Sequence, residues 1–284
     1  MIEPEIRRIN GENLKINAAF WPGGSKTVLC LHGITANCRS FDMMAAALSP
    51  QYRVIAMDLR GRGLSDKPDT GYSPEHHIRD ILSVMDDLGM EKTFLMGHSL
   101  GAFISLMFAA LHPERVTKLI LVDGGGDLDK AQMDQVFTGI KPALDRLEKI
   151  FPSETAYLDQ MKSAPYIQPW LPNMETYYTY EIEEVEQGVK TNINPAHIKE
   201  ESGNVRKIDC ASLYGKVRCP VLILRATQGL LSQNDLLLPT DVVEKMMKQI
   251  PDARLFNVSG TNHYGILFQP HPERDNALGN FLAE

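Results

Sequence analysis

One serine lies in a setting that is typical of an enzyme nucleophile. Ser99 is the central residue of a GHSLG run at residues 97–101, which directly follows one apolar stretch and directly precedes another. The two glycines suit a sharp turn from strand to helix, because side chains at their positions would collide with the neighbouring elements. A serine hydroxyl is a weak nucleophile near neutral pH and needs a base that accepts its proton. The motif therefore predicts nucleophilic catalysis by Ser99, with the base supplied from elsewhere in the chain.

The segments around this turn alternate between strand and helix. Apolar runs that suit strands buried on both faces of a parallel sheet alternate with helical stretches, which predicts a doubly wound α/β sheet. Near the start, Asn10-Gly11 favours a tight hairpin turn and predicts an antiparallel edge. We predict strands at Glu5–Asn10, Leu14–Phe20, Thr27–Leu31, Arg53–Met57, Thr93–Met96, Lys118–Val122, Val221–Leu224 and Arg254–Val258, and helices at Ser73–Leu88, Leu100–Leu111, Pro239–Gln249 and Pro272–Leu282.

A long stretch after Asp123 interrupts this alternation. It is rich in tyrosine, phenylalanine and methionine, and it carries most of the negative excess of the chain. We interpret residues 127–207 as an inserted, mainly helical lid. Residues 1–126 and 208–284 are then the two parts of one α/β core.

Seven segments resemble the α/β-hydrolase superfamily, and they occur in the order in which that fold places them. They are LHGIT, DLRGRGLSDKP, GHSLG, HPERV, LVDGG, CPVLILRA and GTNH. The resemblance covers essentially the whole chain and implies a mostly parallel eight-stranded sheet with helices on both faces and an active site at the carboxyl edge of the strands. The serine at the turn indicates the esterase-like and lipase-like branch, because haloalkane dehalogenases and epoxide hydrolases use a carboxylate nucleophile.

The family order of nucleophile, acid and histidine implies a base near the C-terminus. His263 follows the last predicted strand and has that position, whereas His271 is a rival at a helix start. The acid departs from the commonest pattern, because Gly229 stands where most relatives carry a carboxylate. Asp123 ends the strand before the insertion, as in a branch with its acid after the sixth strand, and is the preferred acid. Asp235 is the alternative.

The resemblance also implies an oxyanion hole, which binds the negative charge that develops on the carbonyl oxygen. Its backbone N–H donors are expected at Leu100, where the helix begins, and at Ile34. His32 and His98 are interpreted as packing residues. The loop at residues 58–66 resembles a phosphate loop only superficially and is interpreted as scaffold.

Composition limits the partners of the chain. Its 284 residues are 43% hydrophobic and can bury a large core, while a net charge of -7 gives no basic surface for nucleic acid or anionic lipid. The four cysteines and eight histidines show no metal-ligand spacing, and no signal peptide or membrane span is evident. We expect a cytoplasmic monomer or homodimer that acts on a small molecule, with no metal, cofactor, nucleic acid or membrane partner.

These observations lead to one functional hypothesis with alternatives. We predict a serine carboxylesterase or lactonase for a medium-sized, largely apolar substrate, since an aromatic-rich lid would close an apolar pocket. Carbon–carbon bond hydrolases, thioesterases, amidases and perhydrolases use the same three residue types and remain alternatives. A signalling receptor that binds its ligand with little turnover is an alternative of a different class.

Overall fold

An eight-stranded, mostly parallel sheet forms the centre of the described molecule. The computed structural model describes residues 2–232 and 235–284; Met1, Gln233 and Asn234, which the two predicted core segments include, lie outside the described residues. The strands are β1 Glu5–Asn10, β2 Lys15–Trp21, β3 Thr27–Leu31, β4 Arg53–Met57, β5 Thr93–His98, β6 Val116–Val122, β7 Ile182–Val185, β8 Gly188–Thr191, β9 Val221–Ala226 and β10 Ala253–Val258.

The central sheet has the order β1-β2-β4-β3-β5-β6-β9-β10. β1 and β2 pair antiparallel with each other, and β2 pairs antiparallel with β4, while the remaining pairs are parallel. β5 is buried along its whole length, as expected for a strand covered on both faces. The predicted α/β-hydrolase fold is thus confirmed.

The turn between β1 and β2 differs from the prediction. Asn10 pairs with Lys15, so the connection spans residues 11–14 rather than the Asn10-Gly11 dipeptide. Gly11 N–H donates to the carbonyl of Leu14, and the positive φ falls on Asn13 at 59°. An asparagine tolerates this left-handed conformation better than most residues do, and Asn13 therefore closes the hairpin.

Helices cover both faces of the sheet. Pro74 lies in the first turn of the helix after β4, where its missing N–H costs nothing. The helix that follows Ser99 ends at Leu111, ahead of His112-Pro113. The helices are α1 Asp42–Leu48, α2 Pro74–Asp87, α3 Leu100–Leu111, α4 Lys130–Gly139, α5 Lys141–Asp145, α6 Glu154–Lys162, α7 Pro172–Thr179, α8 Pro195–Val205, α9 Ala211–Tyr214, α10 Thr240–Gln249, α11 Gly265–Phe268 and α12 Pro272–Ala283.

Residues 127–207, which we call the insert, lie between β6 and β9 and contain α4 to α8. They also contain an antiparallel hairpin of β7 and β8, which sequence analysis did not predict. The insert therefore contains a hairpin in addition to the helices that the sequence predicts. Its role as a lid stays a prediction. No helix in the described ranges is long and apolar enough to cross a membrane.

Candidate active site

Ser99 occupies a strained turn between β5 and α3. Its backbone has φ 54° and ψ -119°, a conformation that residues with a side chain rarely adopt. The flanking glycines permit this turn, because a Cβ on Gly97 would lie 2.1 Å from the carbonyl oxygen of Gly101 and a Cβ on Gly101 would lie 2.0 Å from that of Leu31. The turn therefore lifts the Ser99 side chain to the carboxyl edge of the sheet, where open α/β sheets bind ligands.

His263 and Asp123 meet at the same edge. His263 Nδ1 lies 2.8 Å from Asp123 Oδ2, and both side chains are buried. A carboxylate can only accept a hydrogen bond, so Nδ1 carries the proton and Nε2 keeps its lone pair. Ser99 and His263 line one cavity, although no hydrogen bond joins them within the described residues. In apo enzymes such bonds are often long and shorten when substrate binds.

Asp123 also has a strained backbone. Its φ of 45° places it with Asn13 and Ser99 as the described non-glycine residues of positive φ. Its second carboxylate oxygen, Oδ1, accepts a hydrogen bond from Ala226 N–H at 3.1 Å. The end of β6 and the end of β9 thus both hold the carboxylate in place beside His263.

The two rival residues lie in other environments. The carboxylate of Asp235 accepts hydrogen bonds from the backbone N–H groups of Leu230, Leu231 and Ser232, so it closes its own loop. His271 accepts a hydrogen bond from Arg274 N–H at the start of α12. The structure therefore brings Asp123, and not Asp235, to His263.

One expected oxyanion donor lines the cavity, and the other directly follows the proposed nucleophile in the chain. Ile34 lines the cavity, and Leu100 is the first residue of α3, directly after Ser99. Neither backbone N–H donates to a protein acceptor within the described ranges. Both remain available to a ligand oxygen, and the dipole of α3 adds positive potential at Leu100.

Buried side chains hold the backbone carbonyls around Ile34. His32 Nδ1 lies 2.8 Å from the carbonyl oxygen of Gly33, and Arg62 Nε donates to that of Ile34 at 3.0 Å. Arg146, from the insert, donates to the carbonyl oxygen of Thr35 at 3.0 Å. A peptide plane is rigid, so fixing the Gly33 carbonyl also fixes the direction of the Ile34 N–H. Sequence reasoning treated the loop of Arg62 as scaffold and had no signal for Arg146.

His32 acts in this loop as a neutral imidazole. Its Nε2 accepts a hydrogen bond from Leu59 N–H at 3.0 Å, so the proton lies on Nδ1 and is donated to Gly33. Burial lowers the pKa of His32 to about 3, which keeps the ring uncharged at neutral pH. His32 was interpreted as a packing residue from the sequence, and in the structure its ring also makes two hydrogen bonds.

His98 lies against His263 rather than only filling the turn. The two rings stack with centroids 4.3 Å apart, and His98 Nε2 lies 3.0 Å from the backbone carbonyl oxygen of His263. Burial, and then the neighbouring His263, lower the pKa of His98 well below its ordinary value. In the sequence, the one indication that His98 would contact His263 was its position beside Ser99 in the GHSLG motif.

The cavity beside Ser99 is narrow and mostly apolar. The volume of this cavity is about 30 Å³, which is room for about two water molecules. Ile140 and Tyr177 of the insert line it, as do Tyr264, which follows β10, and Leu267 and Phe268 of α11. No lysine or arginine is among the described residues of its lining. Within those residues, no cluster of three or more His, Cys, Asp or Glu side chains could hold a metal ion.

Comparisons with known proteins agree with the fold. A family model for the alpha/beta hydrolase fold matches residues 26–270. The chain is 28% identical to 2-(acetamidomethylene)succinate hydrolase of Mesorhizobium japonicum, over 91% of this chain and 88% of that protein. It is 27% identical to a serine hydrolase-like protein of Danio rerio, over 88% of this chain and 80% of that protein.

Solved structures show the same similarity. The crystal structure of E-2-(acetamidomethylene)succinate hydrolase matches with a TM-score of 0.85 and 25% identity, over 99% of this chain and 100% of that one. The similarity extends over the core and the insert alike.

Proposed function

The chain belongs to the alpha/beta hydrolase fold family, and from this premise we propose that it is a serine hydrolase that cleaves a carboxylic ester through an acyl-enzyme on Ser99. The observation that carries the proposal is the 2.8 Å hydrogen bond between His263 Nδ1 and Asp123 Oδ2, beside a serine on a strained turn. A neutral imidazole whose Nδ1 is held by a carboxylate presents Nε2 as a base.

The first half of the reaction forms the acyl-enzyme. His263 Nε2 accepts the proton of Ser99 as the serine oxygen attacks the carbonyl carbon of the ester. The backbone N–H groups of Ile34 and Leu100 stabilise the negative charge on the carbonyl oxygen. The carbon–oxygen bond to the alcohol then breaks, and the alcohol leaves with the proton from His263.

The second half repeats these steps with water. His263 takes a proton from a water molecule, which attacks the acyl carbon and forms a second tetrahedral intermediate. The bond to Ser99 breaks, the serine recovers its proton from His263, and the carboxylic acid is released. Asp123 stays ionised throughout and stabilises the imidazolium that forms twice in the cycle.

The size of the cavity favours a short acyl group. About 30 Å³ beside Ser99 is far less than a medium-sized substrate occupies, so such a substrate requires movement of Ile140 and Tyr177. The apolar lining suits an uncharged ester. The sequence predicts a medium-sized, largely apolar substrate. The proposal adds that the acyl part of this substrate is short.

Hydrolysis of an acetamido-substituted dicarboxylic acid is the second candidate. It is favoured by the relative named 2-(acetamidomethylene)succinate hydrolase, which matches 91% of the chain. Such a substrate carries two carboxylates, and the described lining of the cavity contains no lysine or arginine to pair with them. The ester hypothesis therefore takes precedence.

A panel of p-nitrophenyl esters tests the proposal. We expect multiple turnovers of the acetate and butyrate esters, a fall in kcat/KM for the octanoate ester, and no turnover above background by Ser99→Ala. Single turnover at most would favour a receptor. Turnover of 2-(acetamidomethylene)succinate with none of the esters would favour the second candidate, and ester turnover that persists in Ser99→Ala would contradict the proposed nucleophile.

A further inference from the structure

Two buried polar atoms without partners lie on the same cavity. Ser40 Oγ and His98 Nδ1 have no hydrogen-bond partner among the described residues, and their side chains belong to residues that are only 2% and 4% exposed. Both residues line the cavity that also contains Ser99. Native proteins rarely leave a buried polar atom unpaired, so each such atom calls for an explanation.

The hydrogen-bonding capacity of each atom follows from its chemistry. His98 Nε2 lies 3.0 Å from the backbone carbonyl oxygen of His263, which can only accept, so the proton of the neutral ring lies on Nε2. Nδ1 is therefore an acceptor with an unused lone pair. The hydroxyl of Ser40 can donate and accept. One unused acceptor and one unused hydroxyl thus belong to residues that line the cavity.

The acceptor lies close to the nucleophile. A Cβ on Gly33 would stand 3.4 Å from His98 Nδ1 and 3.7 Å from Ser99 Oγ. Since both atoms are near one point, a group bound to Nδ1 lies within a few atoms of the carbon that Ser99 attacks. A Cβ on Gly33 would also stand 3.3 Å from Ser99 Cβ, so glycine avoids a tight contact at this point.

We propose that Ser40 and His98 form a polar subsite that recognises a hydroxyl group on a short acyl chain of the substrate. A hydroxyl donates its proton to the lone pair of Nδ1 and offers its oxygen to the Ser40 hydroxyl. The narrow cavity excludes a long chain at this place, so the hydroxyl lies within a few carbons of the scissile carbonyl. The substrate class is then an ester of a short hydroxy acid. This subsite rests on the proposed function of Ser99.

Ser105 provides a matched control for Ser40. Its hydroxyl is also buried and also without a partner among the described residues, but Ser105 does not line the cavity. For His98, the replacement by glutamine retains an N–H near the position of Nε2, which donates to the His263 carbonyl. The same replacement removes the acceptor at Nδ1.

The test compares phenyl butyrate with phenyl 2-hydroxybutyrate and phenyl 3-hydroxybutyrate. We expect the wild-type protein to prefer one hydroxylated ester in kcat/KM by about 10-fold to 100-fold, because a site built to bind a hydroxyl leaves polar groups unpaired with the plain chain. Ser40→Ala and His98→Gln each reduce this preference at least tenfold, whereas Ser105→Ala retains it. Ser40→Ala keeps the melting temperature of the wild type, since Ser40 Oγ has no hydrogen-bond partner among the described residues.

Two results would overturn the subsite. One is a wild-type protein that prefers the plain butyrate ester or neither ester; the other is a preference that survives in both Ser40→Ala and His98→Gln, which would leave these atoms to ordered water. If no phenyl ester is hydrolysed, the ester proposal fails, and calorimetry then tests the subsite without turnover. Ser99→Ala should bind a hydroxybutyrate at least tenfold more tightly than butyrate, and equal binding refutes the subsite.

Discussion

At the scale of single residues, the proposed site combines strained backbone with a histidine whose tautomer is fixed by a hydrogen bond. Ser99 and Asp123 both hold a positive φ that side chains disfavour, at 54° and 45°. Such strain persists only where the surrounding structure determines it, and it is most common at functional sites. His263 is then fixed in one tautomer by Asp123. The three side chains are thus set in place before any substrate arrives.

Replacement of the acid separates the two candidate carboxylates. We expect Asp123→Asn to reduce kcat by about 10³-fold to 10⁴-fold, because an amide that donates to the imidazole favours the wrong tautomer. Asp235→Asn is the matched control, and its kcat stays close to that of the wild type because the described partners of the Asp235 carboxylate are backbone N–H groups of its own loop. Steady-state kinetics on the butyrate ester measures both. The reverse order of effects would assign the acid to Asp235.

The sequence predicts Ser99 from its motif, and it predicts His263 and Asp123 from the residue order that the family resemblance implies; the structure places His263 beside Asp123. The contacts of Arg62 and Arg146 with the loop of Ile34 had no such signal. They join segments far apart in the chain, and a buried arginine is indistinguishable from an exposed one in a single sequence. These contacts are evident only in the folded structure, where Arg62 of the core and Arg146 of the insert pack against the same loop.

At the scale of elements, a buried ion pair within the insert is connected to the core through its arginine. Arg146 and Glu181 form an ion pair of 2.5 Å in which both side chains are almost fully buried. Glu181 also accepts a hydrogen bond from Tyr157, and Arg146 reaches the carbonyl of Thr35 beside the expected oxyanion donor. The packing of the insert and the position of the loop of Ile34 are therefore linked through one guanidinium.

Loss of this guanidinium should destabilise the protein strongly. We expect Arg146→Ala to lower the free energy of unfolding by about 3–5 kcal/mol, because Glu181 would remain buried without its partner. Arg206→Ala serves as control: its ion pair with Asp134 also lies in the insert but is solvent-exposed, and its loss should cost less than about 1 kcal/mol. Urea unfolding measures both variants. Equal losses would show that Arg146 does not anchor the insert.

The elements themselves were predictable to different degrees. Long buried strands such as β5 carry a continuous apolar pattern, and their positions were predicted to within two residues. The hairpin of β7 and β8 was missed because each strand has only four residues, and all four in β7 are exposed or partly exposed, so that no apolar alternation marks it. Short strands of this kind depend on the surface against which they pack.

At the scale of the whole molecule, buried titratable groups set the response to acid. Burial lowers the pKa of His32 to about 3, far below its ordinary value. Burial alone would raise the pKa of Glu201, but the charges of Arg62 and His77 lower it to about 2. As the pH falls, the unfolded chain therefore binds protons that the folded protein does not bind, first at His32 and then at Glu201.

Stability should consequently fall on acidification. Between about pH 6.5 and pH 3, His32 is protonated in the unfolded chain and neutral in the folded protein. This residue alone therefore lowers the free energy of unfolding by up to about 1.4 kcal/mol per pH unit. Glu201 stabilises the fold above about pH 4.5, and this contribution is lost between about pH 4.5 and pH 2. Urea unfolding at pH 7, 6 and 5 measures the slope.

His32→Asn is the control for this slope, because asparagine retains an N–H donor near the position of Nδ1 but does not titrate. We expect its unfolding free energy to depend less steeply on pH than that of the wild type, by about one proton. Identical slopes in the two proteins would contradict the assignment of His32 as a buried neutral imidazole.

The proposed nucleophile is tested most directly by covalent labelling. The folded protein is treated with a fluorophosphonate, and the modified peptide is identified by mass spectrometry. The account predicts one label per chain on Ser99, with none on the Ser99→Ala variant. Modification of a different residue, or an unmodified protein after prolonged treatment, would contradict it.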